Sequence, residues 1–195
     1  MDVGTSAPIE GCTILVASGR YVNPMALRPD DVRIEDIAHA LGNQCRYSGH
    51  TREFYSVDEH SVRLAGILEE AGESWWVVLC GLLHDAAEAY LVDLPRPLKR
   101  DSALGEAYIA AEERCLRAVM SHFGLSPTEP PCVRAADLTM LATERRDLMP
   151  GDDVWAVIAD VAPLEETIEP WEPRDARETF LFEFHRFTGY IEGAQ

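Results

Sequence analysis

Two histidines and two aspartates stand where charge is expensive. His60 lies in "SVDEHSVRL", His84 and Asp85 follow the apolar run "WWVVLCGLL", and Asp137 sits within "RAADLTML". An unpaired buried charge in such a setting costs several kcal/mol in order of magnitude, so it needs a cation or a hydrogen-bonding partner. Imidazole nitrogen and carboxylate oxygen together suit a divalent transition metal. Four such ligands from different helices would leave positions open for water or substrate. Glu88 follows His84 at helical spacing and Asp93 comes just beyond, so further acid groups can share the pocket. Any one of these residues alone is better explained blandly, as a satisfied histidine, a cap or an exposed carboxylate. Their combination points to chemistry.

The elements that would position them are mostly helical. After a loose start at residues 1–12, "CTILVASGRYVNPMALRPDD" alternates weakly between β-branched and turn residues and fits a short hairpin. Ile34, Ile37, Ala38 and Leu41 repeat at helical spacing. Ser56 to Glu59 has the pattern of a capping box opening a helix to about Glu70, and Ser74 can cap the next, through Leu91, which Asp93 and Pro95 end. "RPLKR" reads as an extended linker. A long amphipathic helix then runs from Asp101 to Gly124, another from Cys132 to about Pro150, and a last one over about 175–191. Phe180, Leu181, Phe184 and Phe187 of that last helix would dock on the core, or serve an interface. Trp75 and Trp76 read as core, and "ERRDL" (Glu144 to Leu148) as a solvated or inter-subunit face. The fold class is therefore all-α, one domain over 1–195, with a short N-terminal β element at most.

Composition narrows the function. A net charge of −17 repels a phosphodiester polymer, which argues against long DNA or RNA as partner. A small anionic substrate is still admissible, because a metal ion or a few basic residues can invert the field inside one pocket. Five scattered cysteines without a C-x-x-C pair read as reduced and mostly buried. No apolar run reaches the length of a membrane span, and the N-terminus has no basic-then-apolar pattern, so a cytoplasmic protein is expected. There is no P-loop, dinucleotide or serine-hydrolase signature.

His60, His84-Asp85 and Asp137 match, in order, the H…HD…D pattern of the HD-domain metal-dependent phosphohydrolases. "HDAAEAYLVDLPRPLK" resembles a segment shared by bacterial 5′-deoxynucleotidases and phage dATP triphosphohydrolases (DatZ-like proteins). "LVASGRYVNP", "NQCRYSGHTREFYSVDEHS" and "ADLTMLATERRDL" look closest to the phage branch. The resemblance covers about Thr13 to Met149. It implies an HD-domain helical bundle, with His60, His84, Asp85 and Asp137 holding a divalent metal of the cobalt, manganese or zinc class. It makes Glu88 and Asp93 the candidate general base and acid. Arg46 and Lys99 match phosphate-holding positions, Tyr47 and Pro97 positions that sandwich a nucleobase, and His50 and Thr51 are candidates for the same pocket or for plain loop hydrogen bonding. The activity implied is hydrolysis of a 2′-deoxynucleotide, preferably a purine deoxynucleoside triphosphate, by a homo-oligomer. The rivals are a 5′-deoxynucleotidase acting on monophosphates and a catalytically silent HD protein serving as a nucleotide sensor.

Overall fold

The computed structural model describes residues 11–100 and 103–192; the expected loose start at 1–12 lies, up to residue 10, outside them. The chain opens with an antiparallel hairpin, β1 (Ile14–Leu15) and β2 (Tyr21–Val22), with Ile14 opposite Val22. Ser18 in the hairpin turn pins it to the first helix, its amide donating to Asp36 Oδ1 (2.6 Å) and its hydroxyl to Oδ2 (2.8 Å). Among the described residues eight helices follow: α1 (Ile34–Gly42), α2 (Val57–Glu70), α3 (Trp75–Leu82), α4 (Glu88–Leu91), α5 (Arg96–Arg100), α6 (Ala103–His122), α7 (Pro131–Asp147) and α8 (Pro173–Glu192). The expected all-α class holds. No helix among the described residues is long and apolar enough to cross a membrane.

The bundle is organised around α2, which packs against α1, α3, α7 and α8. Ile37, Leu41, Leu64, Leu68, Leu79, Leu82, Met140 and Phe180 are fully buried where these helices meet. Phe184 and Phe187 join Phe180 inside, so the aromatic stripe of the last helix serves the core. The five cysteines are free, with Cys80 and Cys115 buried, Cys45 and Cys132 half-buried and Cys12 exposed.

Several expectations drawn from the sequence need correction. Only half of the capping box forms: Ser56 Oγ accepts the Glu59 amide (3.1 Å), while the Glu59 carboxylate binds Arg63 and the Trp171 amide instead. Ser74 sits at the start of α3 without a side-chain capping bond. Trp75 and Trp76 are 38% and 43% exposed; burial begins only at Val77, and the two indoles belong to a first turn outside the packed length of the helix. The helix expected to run to Leu91 stops at Leu82. The His84 amide and its ring Nδ1 both turn onto the Gly81 carbonyl (3.4 and 2.7 Å), the acceptor that a continuing helix would reserve for residue 85. "RPLKR" is a helical turn, α5, because Pro97 falls near its start, where a missing N–H costs nothing, and the Pro95 carbonyl accepts the amides of Leu98 and Lys99.

A buried and a half-buried carboxyl behave oppositely. Asp58, wholly buried, has no hydrogen-bond partner for either oxygen among the described residues, and burial pushes its pKa up to about 8. Asp147, at the end of α7, is opposed by burial too, yet its bonds to Arg146 and to the Ile168 amide (2.8 Å) hold its pKa below the carboxylate range. A depressed pKa means that the unfolded chain takes up a proton first as pH falls. Stability from Asp147 is therefore complete above about pH 4 and lost as pH drops through the lower, folded value. Asp147→Asn should destabilise by about 1–2 kcal/mol at pH 7 in urea unfolding, with the difference shrinking below pH 4; an equal difference at pH 3 and pH 7 would contradict this assignment.

Candidate metal centre

Three segments converge on one spot. His60 rises from the first turns of α2 and has no exposed surface. His84 and Asp85 occupy the tight turns between α3 and α4, and Asp137 faces them from α7. His60 Nε2 lies 3.3 Å from His84 Nε2, 3.8 Å from Asp85 Oδ2 and 3.5 Å from Asp137 Oδ1, and His84 Nε2 lies 3.1 Å from Asp85 Oδ2. One donor atom each from His60, His84 and Asp85 falls within 4.8 Å of the others. Ligands about 2.0–2.1 Å from one tetrahedral ion stand roughly 3.4 Å apart, so these spacings fit a transition metal.

The tautomers agree with that fit. His60 Nδ1 is 2.6 Å from Glu144 Oε1, and His84 Nδ1 is 2.7 Å from the Gly81 carbonyl. Both partners are acceptors, so in each neutral ring Nδ1 carries the hydrogen and Nε2 turns its lone pair to the shared space. The carboxylates are held in their ionised, ligating form. Burial opposes ionisation of Asp85, but His84, with His60 and Arg46, holds it well below the carboxylate range. Burial likewise opposes Asp137, and His60 brings it down. Against burial, Asp85 raises His84 to about 9, while Glu144 and Asp137 raise His60 above its ordinary value despite burial and Arg46, so the acids favour positive charge at this spot and a metal ion would bind by displacing the Nε2 protons. The donor set is thus two imidazoles and ionised carboxylates, the chemistry of a divalent cation site.

Around this spot the other candidate residues take their places. Arg46 and Tyr47 lie in the short 3-10 turn Arg46–Gly49, where Tyr47 and Ser48 both have φ of 54°. Arg46 Nη1 reaches Asp85 Oδ2 and Nη2 reaches Glu144 Oε2, each at 3.3 Å. Glu88 opens α4, almost wholly buried. Burial first, then the charges of Asp85 and Asp93, raises its pKa well above the carboxylate range, and Lys99 counters at 3.2 Å. Because the helix breaks at Leu82, His84 and Glu88 do not share one helical face. Gln44 joins the region of Glu88 to that of Asp93, donating to the Glu88 carbonyl and accepting the Asp93 amide, both at 3.1 Å. Lys99, on α5, also pairs with Glu112 of α6 at 2.6 Å. Pro97 is exposed, as is His50, and the Thr51 hydroxyl donates to the Glu53 carbonyl, the loop bonding that was its simpler reading.

The residues missed from sequence are Gln44, Glu112 and above all Glu144. "ERRDL" is not a solvated face at its start: Glu144 has no exposed surface, and only Arg146 and Asp147 keep the expected ion pair. A signal was available, since Glu144 follows Asp137 by seven residues, two turns along the same side of α7.

The HD domain family matches residues 57–154, from the start of α2 to beyond α7, and includes all four candidate ligands and Glu144. The chain belongs to the HD domain family, whose members bind divalent metals and include metal-dependent phosphohydrolases. It is 36% identical over 170 residues to the uncharacterized protein YfdR of Escherichia coli (strain K12), covering 86% of this chain and 91% of that protein. It is also 38% identical over 125 residues to the uncharacterized protein RCAP_rcc00048 of Rhodobacter capsulatus, covering 61% of this chain and 62% of that one.

What sets the distance between the two imidazoles is the approach of α3 to α2. A Cβ on Gly81 would press on Leu68 Cδ1 and Leu64 Cδ2, so the helices meet closely and a side chain there would have to displace two buried leucine methyl groups. Gly81→Ala should cost about 1–3 kcal/mol by overpacking in urea unfolding. It should also weaken cobalt binding, because the same residue carries the His84 acceptor; wild-type stability with wild-type cobalt affinity would show that the close approach is not needed.

Proposed function

We propose that the chain is a metal-dependent phosphohydrolase of 2′-deoxynucleotides, with a purine deoxynucleoside triphosphate as preferred substrate and a deoxynucleoside and triphosphate as products. The observation that carries this reading is the convergence of His60 Nε2, His84 Nε2 and Asp85 within 4.8 Å, bordered by Arg46 and Lys99, in a protein of net charge −17. Cations gathered on an acidic molecule favour a small anionic ligand. The resemblance to the phage triphosphohydrolases supplies the base preference.

His60, His84, Asp85 and Asp137 are the residues that would hold the metal. When bound, a divalent ion supplies a Lewis acid for a phosphoryl oxygen and a lower pKa for water. The chain's own groups do the rest. Arg46 and Lys99 hold phosphate oxygens, Arg46 by its planar fork and Lys99 as a point charge. Glu88 takes the proton of the attacking water as the new P–O bond forms in line. Asp93 gives a proton to the 5′-oxygen as its bond to phosphorus breaks. Tyr47 and Pro97 border the base.

Deoxynucleoside mono- and triphosphates, supplied to the protein with cobalt, manganese or zinc, test this directly. Triphosphate released from a purine deoxynucleoside triphosphate is expected. Inorganic phosphate from monophosphates would replace the substrate assignment, and no turnover by metal-loaded protein would sink the enzyme reading. Glu88→Gln should keep its metal while kcat falls roughly 10²–10⁴-fold. Asp85→Ala should lose metal and activity together; full metal content in that variant would remove Asp85 from the ligand set.

A further inference from the structure

We propose that Glu144 is a positioning residue that sets the metal affinity through His60 and the substrate affinity through Arg46 and Tyr47, so that one carboxylate ties the two together. Its substrate half rests on the phosphohydrolase reading; its metal half does not. The two oxygens have separate duties. Oε1 accepts the His60 Nδ1 hydrogen at 2.6 Å, and Oε2 accepts the Tyr47 hydroxyl at 2.5 Å and the Arg46 Nε at 3.3 Å, with Arg46 Nη2 also at 3.3 Å. Each partner is a residue of the candidate site. Glu144 reaches no substrate position itself, since it has no exposed surface.

The side chain is held firmly enough for this work. The preceding Thr143 hydroxyl donates back to the Thr139 carbonyl (2.8 Å) and accepts the Leu164 amide (2.9 Å), which fixes α7 against the following segment. The next residue, Arg145, donates to the Gly151 carbonyl (3.0 Å), and its guanidinium lies 5.5 Å from the centre of the Trp155 ring. Trp155 in turn lies 6.0 Å from the Tyr47 ring, and Arg46 stacks on that ring at 5.5 Å. Arg46, Tyr47, Trp155 and Arg145 thus form one chain of cation–ring and tilted ring–ring contacts beside Glu144. A carboxylate that accepts the outer hydrogen of a ligating histidine orients the ring and raises its basicity, and losing such a partner typically weakens metal binding about 10–100-fold. The same loss frees Arg46 and Tyr47 from their common anchor.

Glu144→Gln keeps the shape and removes the charge. Cobalt titration followed by visible absorption should show a dissociation constant raised about 10–100-fold, and the KM of the deoxynucleotide that the wild type turns over should rise several-fold. At saturating metal and substrate, kcat should fall less than kcat/KM. Tyr47→Phe removes one partner only, and should raise KM while leaving cobalt affinity within about twofold. A side chain needed only for folding would lower the melting temperature of the metal-free protein and leave cobalt affinity and KM alone; that result overturns the proposal, as does a change confined to one of the two constants. If Glu144→Gln lacks a folded circular-dichroism spectrum, Glu144→Asp, charged but one methylene shorter, is judged by the same criteria. A wild type that binds cobalt and hydrolyses no nucleotide overturns the phosphohydrolase reading and the substrate half, while the titration still decides the metal half. A wild type that hydrolyses nucleotide beside an unaltered Glu144→Gln overturns the positioning role and leaves the function standing.

Discussion

Glu144 is an ionised carboxylate with no exposed surface, and the need to keep it ionised organises what surrounds it. Burial pushes against its charge; Arg46, His60 and Tyr47 together hold its pKa below the ordinary carboxylate range. A buried charge with too few partners would cost several kcal/mol, so these three side chains are not free to wander. Arg46 is drawn inward between two acids, His60 is fixed in one tautomer, and Tyr47 is held by its hydroxyl. The ordering of the site thus follows from the electrostatics of one residue on α7. The same principle repeats one step away, where Lys99 sits between Glu88 and Glu112 and keeps two acids near each other.

Backbone packing supplies the second constraint. His60 lies on α2 and His84 just past the end of α3, two helices that meet at Gly81, and the Gly81 carbonyl then takes the His84 ring hydrogen. One glycine therefore permits the close approach and also orients the imidazole. A comparable contact occurs at Gly105, where a Cβ would lie 1.9 Å from the Lys99 carbonyl, so α5 can rest against α6 with Lys99 turned toward Glu88 and Glu112.

Much of this is legible in the sequence, and the reasons differ by residue. The helical periodicity of Ile34, Ile37, Ala38 and Leu41 survives because all four face the core. The His84-Asp85 doublet and Asp137 stood out because polar residues in apolar surroundings need a cause. The helix break after Leu82 was hidden, since its cause is a side chain competing for a carbonyl, which no periodicity records. Trp75 and Trp76 were misjudged because hydrophobicity predicts burial only one way: exposed apolar side chains are common. Glu144 was missed for the opposite reason. In "TERRDL" it looks like one more surface charge, and only its two-turn spacing from Asp137 hinted that it faces inward.

The backbone strain of the protein is also gathered at the site. Among the described residues, the non-glycine positions with positive φ are Tyr47, Ser48 and Val92, and all three adjoin candidate site residues. Such conformations cost of order 1–3 kcal/mol each, most for a β-branched residue, and persist only where neighbours over-determine them. Those neighbours can be named. The Arg46 amide bonds to the Tyr55 carbonyl at 2.9 Å, Cys45 bridges Ser56, and the Tyr47 ring lies between Arg46 and Trp155. The Val92 amide binds the Glu88 carbonyl at 2.8 Å, the Tyr108 hydroxyl donates to the Val92 carbonyl, and Gln44 fixes the Asp93 amide. Relaxing Val92 would swing Asp93 away from Glu88, and relaxing Tyr47 would release its hydroxyl from Glu144. The strain is maintained because the geometry it enforces is the geometry that brings these acids, the arginine and the tyrosine to one place.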